Sequence, residues 1–206
     1  MDRTGHRLLL IAGGSCSGKS TLAAMLAARI GSSLRMIHAD DYYRDQSALD
    51  EAVRRTINYD EPAAVDHDLL TQHTAELLAG RRVPSAPRYD FATHTRRGTQ
   101  PLDPAPLIVI EGIFALSYAP LRALADLTLF VSADEATRRE RRLARDQERG
   151  RRLEFTLHQL EQTVLPMHNL HIEPTAAFAD LLVPGTHPFD RLIMLLDAWA
   201  AQIIPR

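Results

Sequence analysis

Five short apolar runs punctuate the chain, at residues 8–11, 34–39, 107–110, 127–131 and 181–183. Each is too short for an amphipathic helix and reads as a buried strand. Between them the period changes. Leu22, Ala23, Leu26, Ala27 and Ile30 recur at helical spacing, and the same period predicts helices over 68–78, 135–149, 156–170 and 189–201. Strands alternating with helices predict a parallel sheet with crossover connections, whose ligands gather beyond the carboxyl ends of the strands. Residues 84–104 break the rhythm. Tyr89, Phe91 and Thr93 alternate with Asp90, Ala92 and His94, and Gly98 falls in the turn region that follows, which predicts an inserted β-hairpin.

The residues that follow the strands carry the chemistry. After the first run comes GGSCSGKST, in which Gly13, Gly18, Lys19 and Ser20 fit the spacing G-x-x-x-x-G-K-[ST] between a strand and a helix. Glycines let successive amides turn inward around an anion, and the helix N-terminus adds partial positive charge. The loop Gly13, Gly14, Ser15, Cys16, Ser17, Gly18, Lys19, Ser20 and Thr21 is the candidate phosphate cradle. Lys19 is placed for the β and γ phosphates and the Ser20 hydroxyl for Mg2+. The second run ends in Asp40 and Asp41, and the third in Glu111, a candidate acidic partner for the same ion. The expected fold is therefore α/β: a P-loop NTPase-type parallel five-stranded sheet flanked by helices, one domain over 1–206.

Composition sharpens this picture at three points. Of 24 basic residues Lys19 is the only lysine, so a compact point ammonium is kept at the one position, inside the loop, where a planar guanidinium fits badly. Cys16 is the only cysteine, which excludes an internal disulfide and a multi-cysteine metal site and suits a reducing cytoplasm. The formal charge of −2 argues against a nucleic-acid partner, and no apolar run approaches membrane-spanning length.

Two segments stay open on the residues alone. The hairpin aromatics suit stacking on a flat ring, with His94 at a ring edge, but ordinary cross-strand packing is the simpler reading. Eight arginines crowd between Arg138 and Arg152, with Arg138, Arg142, Arg145 and Arg149 on one helical face. They suit a polybasic surface, a solvated face interleaved with Glu135, Glu140, Asp146 and Glu148, or an Arg-rich helical lid over about 138–159 that breaks at Gly150 and neutralises a moving phosphoryl group.

Taken together, GGSCSGKST, DDYY, NYDEP, PRYDFATHTR, IVIEGIFAL, RRLARDQERGR, TVLPMHNLHIEP and ADLLVPG resemble the uridine kinase family, in the family's order and over roughly residues 7 to 185. The resemblance implies transfer of the γ-phosphoryl of ATP (or GTP), with Mg2+, to the 5′-hydroxyl of uridine or cytidine in pyrimidine salvage. It also implies a homotetramer, and composition already points to a cytoplasmic enzyme. By motif position it implies that Asp40 orients and deprotonates the 5′-hydroxyl and that Asp60 binds ribose hydroxyls. Tyr89, Phe91 and His94 match the pyrimidine pocket, Arg142, Arg145 and Gln159 the sugar and phosphate contacts, and Arg149 and Arg151 the lid near the triphosphate. Lys19, Asp40 and Arg145 form the implied catalytic set. A sugar phosphate or nicotinamide riboside as acceptor, and a nucleotide-binding switch without turnover, are the alternatives. The chain departs from the family pattern at His38-Ala39, where Ser-Gln is common, at Tyr42-Tyr43, and at Leu160, where a tyrosine often follows the glutamine. PGTHPFD also replaces RGG-x-N after the last strand, near the donor base.

Overall fold

The computed structural model describes residues 5–54 and 56–202. Among the described residues seven strands form: β1 (Arg7–Gly13), β2 (Leu34–His38), β3 (Val83–Asp90), β4 (Thr95–Leu102), β5 (Leu107–Glu111), β6 (Leu127–Ser132) and β7 (Leu181–Pro184). The helices are α1 (Lys19–Ile30), α2 (Glu51–Arg54), α3 (His67–Leu78), α4 (Ala119–Arg122), α5 (Glu135–Glu148), α6 (Leu153–Gln159), α7 (Leu165–Met167) and α8 (Asp190–Ala200). Five strands make one parallel sheet in the order β2-β5-β1-β6-β7, and β3 pairs with β4 as a separate antiparallel hairpin.

The central strands β5, β1 and β6 are covered on both faces and are apolar for that reason. The edge strands are half-open: β2 carries Arg35 and His38, and in β7 Leu181 and Leu182 are exposed where the sequence predicts a buried strand. Successive side chains alternate sides. Leu8, Leu10, Ile108, Ile110 and Phe130 pack with α3, the hairpin and the segment after β5, whereas Leu9, Ile11, Val109, Leu129 and Val131 pack with Leu22 and Leu26 of α1 and Ile193 and Leu196 of α8. Parallel register brings the functional ends to one rim: Ile11 is level with Glu111, His38 with Glu111, and Gly13 with Val131.

Two sequence expectations change here. The alternating stretch 91–94 is the hairpin's reversal and not a strand; His94 takes a left-handed φ of 55° there, while Gly98 lies inside β4. The helix expected over 156–170 is replaced by α6, α7 and intervening wide turns at 160–164 and 168–172. The cause is two prolines. Pro166 offers no amide to the carbonyl of Gln162, and Pro174 none to that of Leu170, and each wide turn is centred on the orphaned carbonyl. The Leu165 and Glu173 amides instead reach five residues back, to Leu160 and His168.

Candidate active site

The phosphate cradle is built by close approach. Gly13 has φ 145°, and a Cβ there would stand 2.3 Å from the Val131 carbonyl oxygen of the neighbouring strand. Only glycine lets the chain leave β1 at this angle. Gly13, Gly14 and Ser17 are buried beneath the cradle, and Gly14 faces Arg138 and His168. Cys16 holds a left-handed φ of 62° at the turn. Gly185, after β7, backs the loop so tightly that a Cβ would meet the Ser17 carbonyl oxygen at 1.8 Å. Arg141 clamps this junction, donating to the carbonyls of Gly185 at 3.1 Å and of Cys16 and Ser17 at 3.4 Å.

Two hollows meet over the rim. A hollow of about 340 Å³ is lined by Cys16, Gly18, Lys19, Ser20, Thr21, Arg141, Arg145 and Arg149. A larger cleft of about 480 Å³ continues from it past Ser15, Asp40 and Asp60 to Tyr89, Phe91 and His94, with Arg142, Arg145, Arg149, Arg151 and Gln159 on the lid side. Lys19, Ser20, Arg145 and Arg149 line both, so they mark the junction. The cleft also contains Tyr43, Tyr59 and Ile113, which the sequence did not single out. Tyr59 stacks on His94 with ring centroids 4.4 Å apart and planes 11° from parallel. Tyr89 and Phe91 meet edge to face beside this pair, with centroids 5.2 Å apart, so aromatic rings line this side of the cleft.

The rim is strongly polar. Ser20 donates to Glu111 Oε2 at 3.0 Å, and His38 Nδ1 lies 2.8 Å from Glu111 Oε1. Burial pushes the Glu111 carboxyl up, but His38, Lys19 and Ser20 together outweigh it and hold the group below its ordinary value. Asp40 sits in the turn after β2; burial raises it to about 6 against the opposing pull of Lys19, and the Glu111 charge adds to the rise. Its neighbour Asp41 points elsewhere and accepts from the Tyr89 amide at 3.3 Å, tying the hairpin to the rim. Arg96 holds the same joint, bonding the Tyr43 carbonyl at 2.9 Å and Asp66 at 3.2 Å.

On the lid side the reading of a solvated arginine face fails. Arg138 and Arg142 are buried, and Asp146 is wholly so. Arg145 contacts Asp146 Oδ1 through Nε at 3.2 Å and Nη2 at 3.1 Å, while Arg142 and Arg151 each approach Oδ2 at 3.6 Å. Asp146 is the counter-ion that sequence reasoning missed; its signal was the spacing of four from Arg142. Arg142 also donates to Ser15 at 3.1 Å and Gln159 at 2.7 Å, linking cradle and lid. Thr163, Tyr59 and Arg141 carried no signal of their own.

The oxygen-only pair Ser20 and Glu111 suits a hard divalent cation that keeps phosphate and water ligands. Among the described residues no three His, Cys, Asp or Glu side chains converge as a self-sufficient metal cage. No helix among them is long and apolar enough to cross a membrane.

A parallel sheet with an anion cradle at its rim, faced by an arginine-rich helix, places the chain in the phosphate-loop class. Solved structures share the fold: phosphoribulokinase from Rhodobacter spheroides at TM-score 0.65 and 17% identity, over 90% of this chain and 74% of that one. D-glycerate 3-kinase from Cryptococcus neoformans aligns at TM-score 0.61 and 15% identity, over 83% and 80%. Within that class the model of the Phosphoribulokinase / Uridine kinase family matches residues 8–190, and the chain belongs to this family. It is 42% identical to the uridine kinase of Staphylococcus haemolyticus, over 84% of this chain and 85% of the relative. It is likewise 42% identical to that of Brevibacillus brevis, over 86% and 84%.

Proposed function

We propose that the protein is an ATP-dependent nucleoside kinase that phosphorylates the 5′-hydroxyl of uridine or cytidine in cytoplasmic pyrimidine salvage. One observation carries the reading: a single cleft runs from Lys19 and Ser20, past Asp40, to the ring-stacking group Tyr59, Tyr89, Phe91 and His94. The smaller hollow takes the triphosphate. The larger cleft takes a flat base with its sugar between Asp60, Arg142 and Gln159. The 42% identity to uridine kinases over most of both chains supports the same acceptor.

The residues divide the work by charge. Lys19 and the loop amides hold the β and γ phosphates. Ser20 and Glu111 would hold Mg2+, which when bound neutralises charge on the phosphates. Asp40, ionised at neutral pH, accepts a hydrogen bond from the 5′-hydroxyl and aims its oxygen in line. The bond from that oxygen to the γ-phosphorus forms as the bond to the β-bridging oxygen breaks, and the hydroxyl proton passes to Asp40. Arg145 and Arg149, at the junction of the hollows, face the charge spread over the moving group. Little covalent help is needed, so positioning supplies most of the rate.

Scoring ADP release with uridine, cytidine, adenosine, nicotinamide riboside and ribulose 5-phosphate tests this directly. Uridine and cytidine should exceed the others by about tenfold or more in kcat/KM, the scale of one net hydrogen bond. Preference for nicotinamide riboside or the sugar phosphate, or no acceptor-dependent ADP, would overturn it.

A further inference from the structure

Asp60 reaches the cleft from a loop, and two different devices hold it. Asn58 fixes the backbone, accepting from the Asp60 amide at 3.0 Å and donating to Glu61 at 2.7 Å. The carboxylate itself is held from across the molecule. Thr163 Oγ1 lies 2.8 Å from Asp60 Oδ2, although the two residues are 103 positions apart. Asp60 lines the cleft, and Thr163 does not; it stands behind the carboxylate.

The hydroxyl has a choice of acceptors, because the Gln159 carbonyl oxygen is 3.1 Å away on its own helix. A threonine has one proton to give, and the anionic, nearer oxygen is the stronger acceptor. Burial pushes the Asp60 carboxyl up, and Thr163 and then Arg142 oppose that rise. The hydroxyl therefore does two things for Asp60: it fixes the plane of the carboxylate and favours its charged form. Thr163 sits in the wide turn 160–164, the one imposed by Pro166. Wide turns of this kind re-aim side chains that a regular helix would place elsewhere.

We propose that Thr163 is a positioning residue for the sugar subsite: its hydroxyl pins Oδ2 of Asp60 and leaves Oδ1 to accept from the vicinal hydroxyls of a ribose. This rests on the nucleoside kinase reading and deepens it, since it assigns discrimination for a ribose over a sugar lacking those hydroxyls to a residue outside the cleft wall.

The test is an analogue cycle. KM for uridine and the inhibition constant of 2′,3′-dideoxyuridine are measured for the wild type, Thr163→Val and Thr163→Ser. In Thr163→Val, KM for uridine should rise about tenfold, the loss expected of a hydrogen bond to a charged group, with kcat within about twofold. The dideoxy analogue, which offers Asp60 nothing, should bind within about twofold of its wild-type constant, and Thr163→Ser should restore the uridine value. Equal weakening of both ligands, or no change in either, would overturn the proposal. Should Thr163→Val fail to fold, Thr163→Ala is scored by the same ratio. A wild type that uses another acceptor and ignores uridine would overturn the proposed function as well, whereas a wild type that uses uridine without the predicted coupling would overturn this inference alone.

Discussion

Asp40 shows how a site residue is set against the fold that holds it. Its carboxyl is raised to about 6, chiefly by burial, beside a lysine that pulls the other way. A raised folded-state value means the folded protein binds the proton more tightly than the unfolded chain. The stability this confers is complete below the unfolded value near 4 and is lost as pH rises through about 6. Above that pH, ionised Asp40 is a standing cost. Asp40→Asn should remove the cost, raising the melting temperature of the ligand-free protein at pH 8 by roughly 5 °C, with the gain vanishing near pH 4. The same substitution should lower kcat by about a hundredfold or more, because an amide cannot take the 5′-hydroxyl proton. A melting curve and a turnover assay on one preparation check both. Loss of stability at pH 8 would mean that ionised Asp40 is no cost to the fold, and unchanged turnover would remove it from the reaction.

At the level of elements, the lid depends on one carboxylate. Asp146 is completely buried and lies against Arg142, Arg145 and Arg151 while Thr156 donates to it at 3.4 Å, so it joins α5 to α6 across the break at Gly150. Three guanidiniums on one carboxylate leave an excess of positive charge, which the phosphates of a bound nucleotide can satisfy. In Asp146→Asn the shape survives and the counter-charge does not. Removing one partner of a buried ion pair costs about 3–5 kcal/mol. Arg145 and Arg151 are over a third open to solvent, so a smaller loss of order 2 kcal/mol, roughly 5 °C in melting temperature, is expected here. A non-hydrolysable ATP analogue should recover more of the melting temperature in the variant than it adds to the wild type. Equal shifts in both proteins would show that the lid arginines do not face the phosphates.

Across the whole molecule, what could be read in advance was whatever one segment decides. The apolar runs reported the strands, though not that Leu181 and Leu182 of edge strand β7 stay exposed, and the cradle glycines reported their own backbone angles, so sheet and phosphate loop were legible. The rest is made between distant segments. Nothing in the sequence around Thr163 shows that Pro166 turns it toward Asp60, nor does Tyr59 reveal its stack on His94. The arginine helix stayed ambiguous because interleaved charges describe a solvated face equally well, until packing against Gly14 and Ser15 buries Arg138 and Arg142.

The same long-range joints give the assembled site a property no element has alone. Arg145 and Arg149 line both hollows, and Arg142 bonds the cradle residue Ser15 and the lid residue Gln159 together. A nucleotide that orders these arginines has already met part of the cost of ordering the acceptor's side, and the converse must hold to the same degree. Titration of uridine with and without a non-hydrolysable ATP analogue should therefore show its Kd falling about fivefold or more, with the analogue's own Kd falling by the same factor when uridine is present. Arg145→Ala should abolish the coupling while each ligand still binds alone. Independent binding in the wild type would mean that the two hollows act as separate sites, and that the lid contributes charge without transmitting occupancy.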